Sequence, residues 1–366
     1  MRSCPVPPAD IGPELFLQFR SPRRGSGNPE PMTNPVWVWS IEHNRDGWST
    51  NGAFDGPPSE EAGPCWSFGR YGRTETKLPD GRLIRIGGEY EDWYDADFYI
   101  YNDVIVTDAA GRTEIFGYSE EAFPPTDFHT ATLVDDRIIV IGNLSYPEHR
   151  KHKAQLLVLD TSSYRVERID ATGEGPPWLY SHSSELVENG GAILVRGGMI
   201  IDPRWPASVE NIDDWRLDLN NRRWERLTRR AWPRFVFLRE DGAQNHLHWL
   251  RDLLRDRTSG KPDSSAGYRA ECLSDLGASP RLDLLETLYS PDVPHAKVPE
   301  MDDESDVYRL SIQGVTVRYV EDSNDIGLTI EGTLPKETVE LLRSDLLAKL
   351  QAIENSSINC IDLMVD

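Results

Sequence analysis

Three stretches of the chain share one pattern of apolar and polar positions. RTETKL at 73–78, HTATLV at 129–134 and HSSELV at 182–187 alternate in polarity. Each is followed by a polar turn (DG, DD or NGG) and then an apolar run: LIRI, IIVI or AILV. Period-two alternation predicts a half-buried strand, and the turns predict a tight hairpin to a second strand. Each second run closes on Gly87-Gly88, Gly142-Asn143 or Gly197-Gly198, so the first glycines are 55 residues apart twice over. A strand ending in paired glycines lets another backbone approach closely, because no Cβ intervenes.

A second set of segments lies between these hairpins. Trp39-SIEHNRDG-Trp48 and Trp215-RLDLNNRR-Trp224 carry Trp at both ends with the same separation, and an acid at the fourth position. Asn102-DVIVTDAAGRTEIF and Gln155-LLVLDTSSYRVERI are looser copies, with Asp108 and Asp160 at that place. Each predicts strand, turn, strand. The two sets together give about four strands per period, the content of one propeller blade.

On these motifs the chain resembles the kelch-repeat (galactose-oxidase-like) family of β-propellers over about residues 31–230. The second repeat departs from the family pattern at Asn143, where a second glycine is usual. The resemblance implies a propeller that closes with more blades than the three visible here. It also implies that a strand around Val36 to Ile41 completes the last blade, and that Trp39, Trp48, Trp215 and Trp224 serve packing.

The period is lost after Arg230. The segment Phe235-VFL fits one more strand, and Leu247, Leu250, Leu253 and Leu254 are spaced for an amphipathic helix. Residues 258–306 are rich in Pro, Ser, Gly and Asp and predict a connection with a short helix near Leu282 to Leu288. From 308 onward two alternating runs, a turn at Asp322-SND and a third run predict three strands. Thr333 offers an N-cap hydroxyl, Pro335 suits a first helical turn, and Val339, Leu342, Leu346, Leu350 and Ile353 share one helical face. Ile358, Cys360 and Leu363 suggest a closing strand. The expected fold class is therefore mainly β: a kelch-like β-propeller followed by a small β-β-α-β, α+β domain. The expected domains are an N-terminal extension at 1–30, the propeller at 31–230, a helical and irregular connection at 231–300 and an acidic domain at 301–366.

Composition narrows the function. The 366 residues hold 39 Lys and Arg against 61 Asp and Glu, a net charge of -22. That balance argues against direct nucleic-acid binding and against docking on anionic lipid. No apolar run reaches the ~18 residues of a membrane span, and the first 25 residues lack the apolar core of a secretion signal, so a cytoplasmic location is expected. Four scattered cysteines form no CxxC pair, which fits a reducing compartment and gives no zinc signature. Charge is uneven: the last 66 residues hold 14 acids against 5 bases.

Candidate chemistry gathers in the loops after the glycine pairs. The first, at 89–100, carries Glu89, Glu91, Asp92, Trp93, Tyr94, Asp95 and Asp97; the second, at 144–153, carries Tyr146 and His149; the third, at 199–213, carries Arg204 and Trp205. Variable loops on a repeated scaffold are common binding elements, and mixed aromatics and charges suit a protein interface. His149 and His152 form HxxH, but a basic, Pro-containing loop without a third ligand gives no metal site. There is no GxSxG, P-loop or HExxH, and no cofactor is implied. The expected function is a non-catalytic protein-binding module whose loop face takes a basic protein, for instance as an inhibitor or immunity protein of a toxin. The alternatives are a metal-dependent propeller enzyme with a site at the axial mouth, and an adaptor that recruits several proteins.

Overall fold

The structure is a computed structural model that describes residues 6–91, 95–205, 207–259, 270, 273–298 and 306–363. Antiparallel sheets dominate it, so the chain is mainly β. It forms two compact units: Met1–Arg204 with Ser208–Arg229, and Trp205–Ala207 with Arg230–Asp366.

The first unit repeats one element three times. Thr74–Lys77, Leu83–Ile86, Val104–Thr107 and Thr113–Gly117 pair in chain order as an antiparallel meander. Thr130–Val134, Arg137–Ile141, Leu156–Asp160 and Val166–Arg168 form the second sheet in the same order. Ser183–Val187, Ala192–Arg196, Trp215–Asp218 and Arg223–Arg226 form the third. The hairpins predicted from alternation are therefore present at the predicted period.

Alternation gives each sheet two faces. Ile84, Ile86, Val104 and Val106 of the first sheet meet Ile138, Val140, Leu157 and Leu159 of the second in one buried cluster. Burying each such side chain contributes about 1.5–3 kcal/mol. The register places Ile139, Ile141, Leu156 and Val158 on the second sheet's opposite face. In the third sheet the corresponding positions are Leu194, Arg196, Asp214 and Arg216. There Arg196 lies 3.5 Å from Asp214 and Arg216 lies 2.5 Å from Glu188. Charges replace the isoleucines and valines, so the third sheet presents a polar face where the first two present apolar ones.

The other end of the repeat is covered by helices. Pro35–Glu42 and Gly47–Ala53 are α-helical, which corrects the strand expected at Val36 to Ile41 and the strand-turn-strand expected from Trp39 to Trp48. The physical reason lies just upstream. The Asn34 side chain accepts the Trp37 N–H at 2.9 Å with Pro35 in the first turn, and Asp46 accepts the Ser49 N–H at 2.6 Å. Two N-caps outweigh a matched Trp spacing. Trp37 and Trp39 are buried with Trp66, Tyr101, Ile105 and Ile115 of the first sheet's far side, as expected of packing residues, whereas Trp48 is 68% exposed.

Residues 24–31 form a strap along the outer strands. Glu30–Pro31 pairs with Phe116–Gly117. The Asn28 side chain acts as one more strand residue for the second sheet, donating to the Val166 carbonyl at 2.7 Å and accepting its N–H at 2.8 Å. This part of the expected N-terminal extension thus belongs to the repeat.

In the second unit a six-stranded antiparallel sheet runs in the order Ala296–Lys297, Val307–Ile312, Val315–Glu321, Asp325–Glu331, Arg234–Arg239, Ile358–Asp362. The three strands, helix and closing strand expected from residue 308 onward are there, an order of β-β-β-α-β with one strand more than the expected β-β-α-β. The expected connection at 231–300 is corrected: Arg234–Arg239 is the fifth of the six strands, between two later ones. Leu247, Leu250, Leu282 and Leu285 from its helices are buried in one core with Leu342, Leu346, Leu350 and Ile353 of the helix Lys336–Glu354. That helix has Pro335 rather than Thr333 at its N-cap, with no side-chain cap bond. Its last residue, Glu354, is fully buried, accepts the His246 N–H at 2.9 Å and receives Arg239 at 3.1 Å, tying three segments together. No described helix is long and apolar enough to cross a membrane. Cys65 and Cys360 are free thiols.

The glycine pairs explain how one sheet meets the next. A Cβ on Gly142, at φ 68°, would lie 2.2 Å from the Leu179 carbonyl oxygen; one on Gly197, at φ 61°, would meet nothing within 4 Å among the described residues. Gly142→Ala should therefore unfold the chain or cost at least ~3 kcal/mol, by overpacking and strain together. Gly197→Ala should cost only the ~1 kcal/mol of a left-handed Ala. Equal losses in denaturant melts would contradict this account of the joints.

Candidate functional site

The loops after the glycine pairs leave the sheets at the end where the repeats are laced together. Gly72, Phe128 and Ser181 precede the three first strands with φ of 60°, 46° and 53°. The left-handed turn aims backbone groups sideways. Phe128 N–H donates to the Gly72 carbonyl, and Ser181 N–H to the Phe128 carbonyl, both at 2.8 Å. Beside this line the His129 Nε2 lies 2.7 Å from the Thr74 hydroxyl, and the His182 Nε2 lies 2.9 Å from that of Thr130. Both Nδ1 atoms are buried without a partner. Burial pushes His129 down to about 3 and His182 down to about 4, so both are neutral in the folded protein.

The first loop opens as a short hairpin, Glu89–Tyr90 against Tyr99–Ile100. Tyr71 bridges the backbone of Glu89 on its other side. An antiparallel bridge turns both side chains to one face, and the Tyr71 ring there is 65% exposed. Glu89 is half-buried and faces Asp127, which comes from the turn before the second sheet and has no exposed surface. One Asp127 oxygen accepts the Ser145 N–H at 2.7 Å, the other has no donor among the described residues, and the Glu89 carboxyl is a neighbour of the group. Burial and the Asp127 charge push Glu89 up to about 7. Burial raises the Asp127 carboxyl as well, so the two groups form a pair that cannot both ionise cheaply.

The other candidates are placed unevenly. Glu91 is exposed; Asp92, Trp93, Tyr94 and the Asp95 side chain lie outside the described residues; Asp97 is buried. The loop's expected exposed acidity is therefore partly spent in the interior. Tyr146 accepts the Ile100 N–H at 2.9 Å and its ring meets Phe98 edge-on at 5.7 Å, so the first two loops form one surface. His149 ends a short turn, 3.9 Å from Glu120. Arg204 pairs with Asp202 at 2.6 Å. Trp205 falls in the second unit, where Arg234 lies 6.0 Å from its ring. Among the described residues no group of three or more His, Cys, Asp or Glu is placed to hold a metal ion.

Sequence reasoning missed Asp127, Tyr71 and Arg24. Arg24 reaches from the strap to the Ile100 carbonyl at 2.7 Å and stacks over Tyr99 at 4.3 Å, fixing the hairpin's far strand. The repeated x-His-Thr/Ser lead-in was the available signal for Asp127, since it precedes Phe128-His129 directly. No protein-family model matches the chain, and no curated protein matches it either.

The two kinds of buried group pull stability in opposite directions with pH. Glu89 binds more proton folded than unfolded between about pH 4.5 and 7, so its contribution is full at low pH and lost as pH rises through that window. His129 and His182 bind less proton folded than unfolded below 6.5, so their contribution is full above that value and lost toward about 3 to 4. Glu89→Gln should raise stability at pH 8 by about 1 kcal/mol after allowance for solvent screening, or about 2–4 °C in Tm, and change nothing at pH 4.5. A variant that tracks the parent protein at both pH values would show that the Glu89 carboxyl is not pushed upward. In acid, His129→Gln with His182→Gln should flatten the loss seen below pH 6.5.

Proposed function

We propose that the chain is a non-catalytic protein-binding module of the kelch-like propeller type, and that its glycine-pair end takes a basic protein. Three four-stranded meanders at a 55-residue period, whose second strands run into Gly87-Gly88, Gly142-Asn143 and Gly197-Gly198, support the kelch-like assignment. The observation that carries the binding assignment is a pair of exposed aromatics flanking the first loop. Trp48 is 68% and Tyr71 65% exposed. Trp48 N–H donates to the Tyr90 hydroxyl at 3.1 Å, and Tyr71 pairs with the Glu89 backbone, so both are anchored beside one hairpin. Large rings on a rigid, hydrogen-bonded base are the usual anchors of protein interfaces. Trp93 and Tyr94 continue the same segment in sequence.

The charge of -22 selects the partner's sign. A basic protein is drawn to it by steering, with an encounter rate that falls as salt rises. One specific form is an inhibitor that covers a basic toxin; the adaptor form uses the same face for several partners, with the acidic second unit as a further docking element.

Capture on the immobilised full-length chain from its native cells separates these forms. One basic protein, retained at low salt and held by a ring-filled interface, supports the inhibitor form; several weak partners support the adaptor. Trp48→Ala and Tyr71→Ala should each lower the recovered partner by about tenfold, near 1.4 kcal/mol, with Tm unchanged. Undiminished recovery with both variants, or an acidic partner, would overturn the proposal.

A further inference from the structure

A cleft of about 410 Å³ lies between the second and third sheets. Ile139, Val158, Ile169 and Leu217 give it an apolar floor, and Arg137 and Arg222 line it from two turns. The joint between the first and second sheets is built from equivalent positions and is closed there by side chains. There Arg82 donates to the Tyr164 hydroxyl at 2.6 Å and to the Thr161 carbonyl at 2.7 Å, while Phe116 packs on the Tyr164 ring at 4.6 Å.

The strand registers carry each of those residues to its counterpart. Arg82 and Arg137 stand immediately before the same position of the second strand, two residues ahead of Ile84 and Ile139. Phe116 lies opposite Val104, as Ile169 lies opposite Leu156 through its N–H. Tyr164 and Arg222 close the same turn: Asp160 accepts the Ser162 and Ser163 amides, Asp218 accepts those of Asn220 and Asn221, and φ is 56° and 50° at the closing residue. Where the first joint has Arg, Phe and Tyr, the second has Arg, Ile and Arg. Two aromatic rings and the acceptor for the first arginine are absent, and a second cation stands in their place.

Three acids also line the cleft, of which Asp135 is exposed at its turn. Asp218 is occupied by its turn amides and lies 3.6 Å from Arg216. Asp136 sits 3.8 Å from Arg137, an exposed contact of the kind worth little. Arg222 has no side-chain partner among the described residues. An apolar slot of ring-like origin, flanked by two guanidinium groups, is complementary to a flat apolar body bearing a carboxylate, which guanidinium binds through paired hydrogen bonds.

We propose that this cleft is a binding site for a small aromatic carboxylate, whose rings fill the space that Phe116 and Tyr164 fill in the closed joint and whose carboxylate takes the acceptor position before Arg137 and Arg222. The site is independent of the glycine-pair face, which the strands carry at their other end.

Titration of the full-length protein with 2-naphthoate tests it, with octanoate (charge without rings) and 2-naphthylmethanol (rings without charge) as controls. Saturable binding of 2-naphthoate, about tenfold or more tighter than either control, is expected. Arg222→Tyr rebuilds the closed joint and should weaken 2-naphthoate by about tenfold or more without lowering Tm. If that variant does not fold, Arg137→Gln should give the same loss through the other cation. No saturable binding at millimolar 2-naphthoate, equal affinity for a control, or undiminished binding in a folded variant would overturn the proposal.

Discussion

The first unit depends on backbone hydrogen bonds that cross from one sheet to the next. Gly72, Phe128 and Ser181 all adopt left-handed backbone, and that geometry strings their amides and carbonyls into one line. The residue after each first glycine adds a second line: Gly88 N–H reaches the Thr126 carbonyl at 2.8 Å, and Asn143 N–H reaches that of Leu179 at 2.9 Å. Phe and Ser are strained at positive φ, so the surrounding contacts must hold them there. His129 and His182, buried neutral against threonine hydroxyls, are those contacts. Because main-chain atoms carry the joints, side chains elsewhere in each joint are free to differ, and the Arg–Phe–Tyr closure of the first joint gives way to a cleft in the second.

The same register decides where the repetition stops. Isoleucine and valine at the outward positions of the first two sheets invite another sheet; arginine and aspartate at those positions of the third do not. At the other end the helices Pro35–Glu42 and Gly47–Ala53 cover the first sheet with Trp37 and Trp39. The strap through Asn28 then holds the outer strands, and its Arg24 fixes the first loop's hairpin. The loop that carries Glu89 is thus supported from the strap, from Tyr71 and from the second loop's Tyr146. That support presents Tyr71 and Trp48 on a rigid base.

How much of this was legible in the sequence depended on how local each signal is. The hairpins were legible because alternation and paired glycines act within a few residues. The helix at Pro35 was equally local, yet the Trp39–Trp48 spacing, copied from a true strand pair at Trp215–Trp224, masked the caps at Asn34 and Asp46. Arg234–Arg239 was legible as a strand but not as an interior strand of this sheet, since both neighbours lie far along the chain. In the loop face, Glu89 was legible as an acid and not as one whose carboxyl is pushed upward: burial is the first cause and the Asp127 charge the second, and both reach it only through the fold. Asn143 looked like a defect in the repeat. Its φ is not left-handed, so this repeat does not require glycine there, whereas Gly88 and Gly198 hold the same place at φ of 92° and 80°.

The central claim, that these inter-sheet backbone bonds are part of the cooperative core, is tested most directly by amide hydrogen exchange at Phe128, Ser181, Gly88 and Asn143. The account predicts that all four exchange only with global unfolding, at the same protection free energy as the central strand amides of Ile139 and Ile193. Exchange of these amides through local opening, well below the global value while the strand amides stay protected, would contradict it.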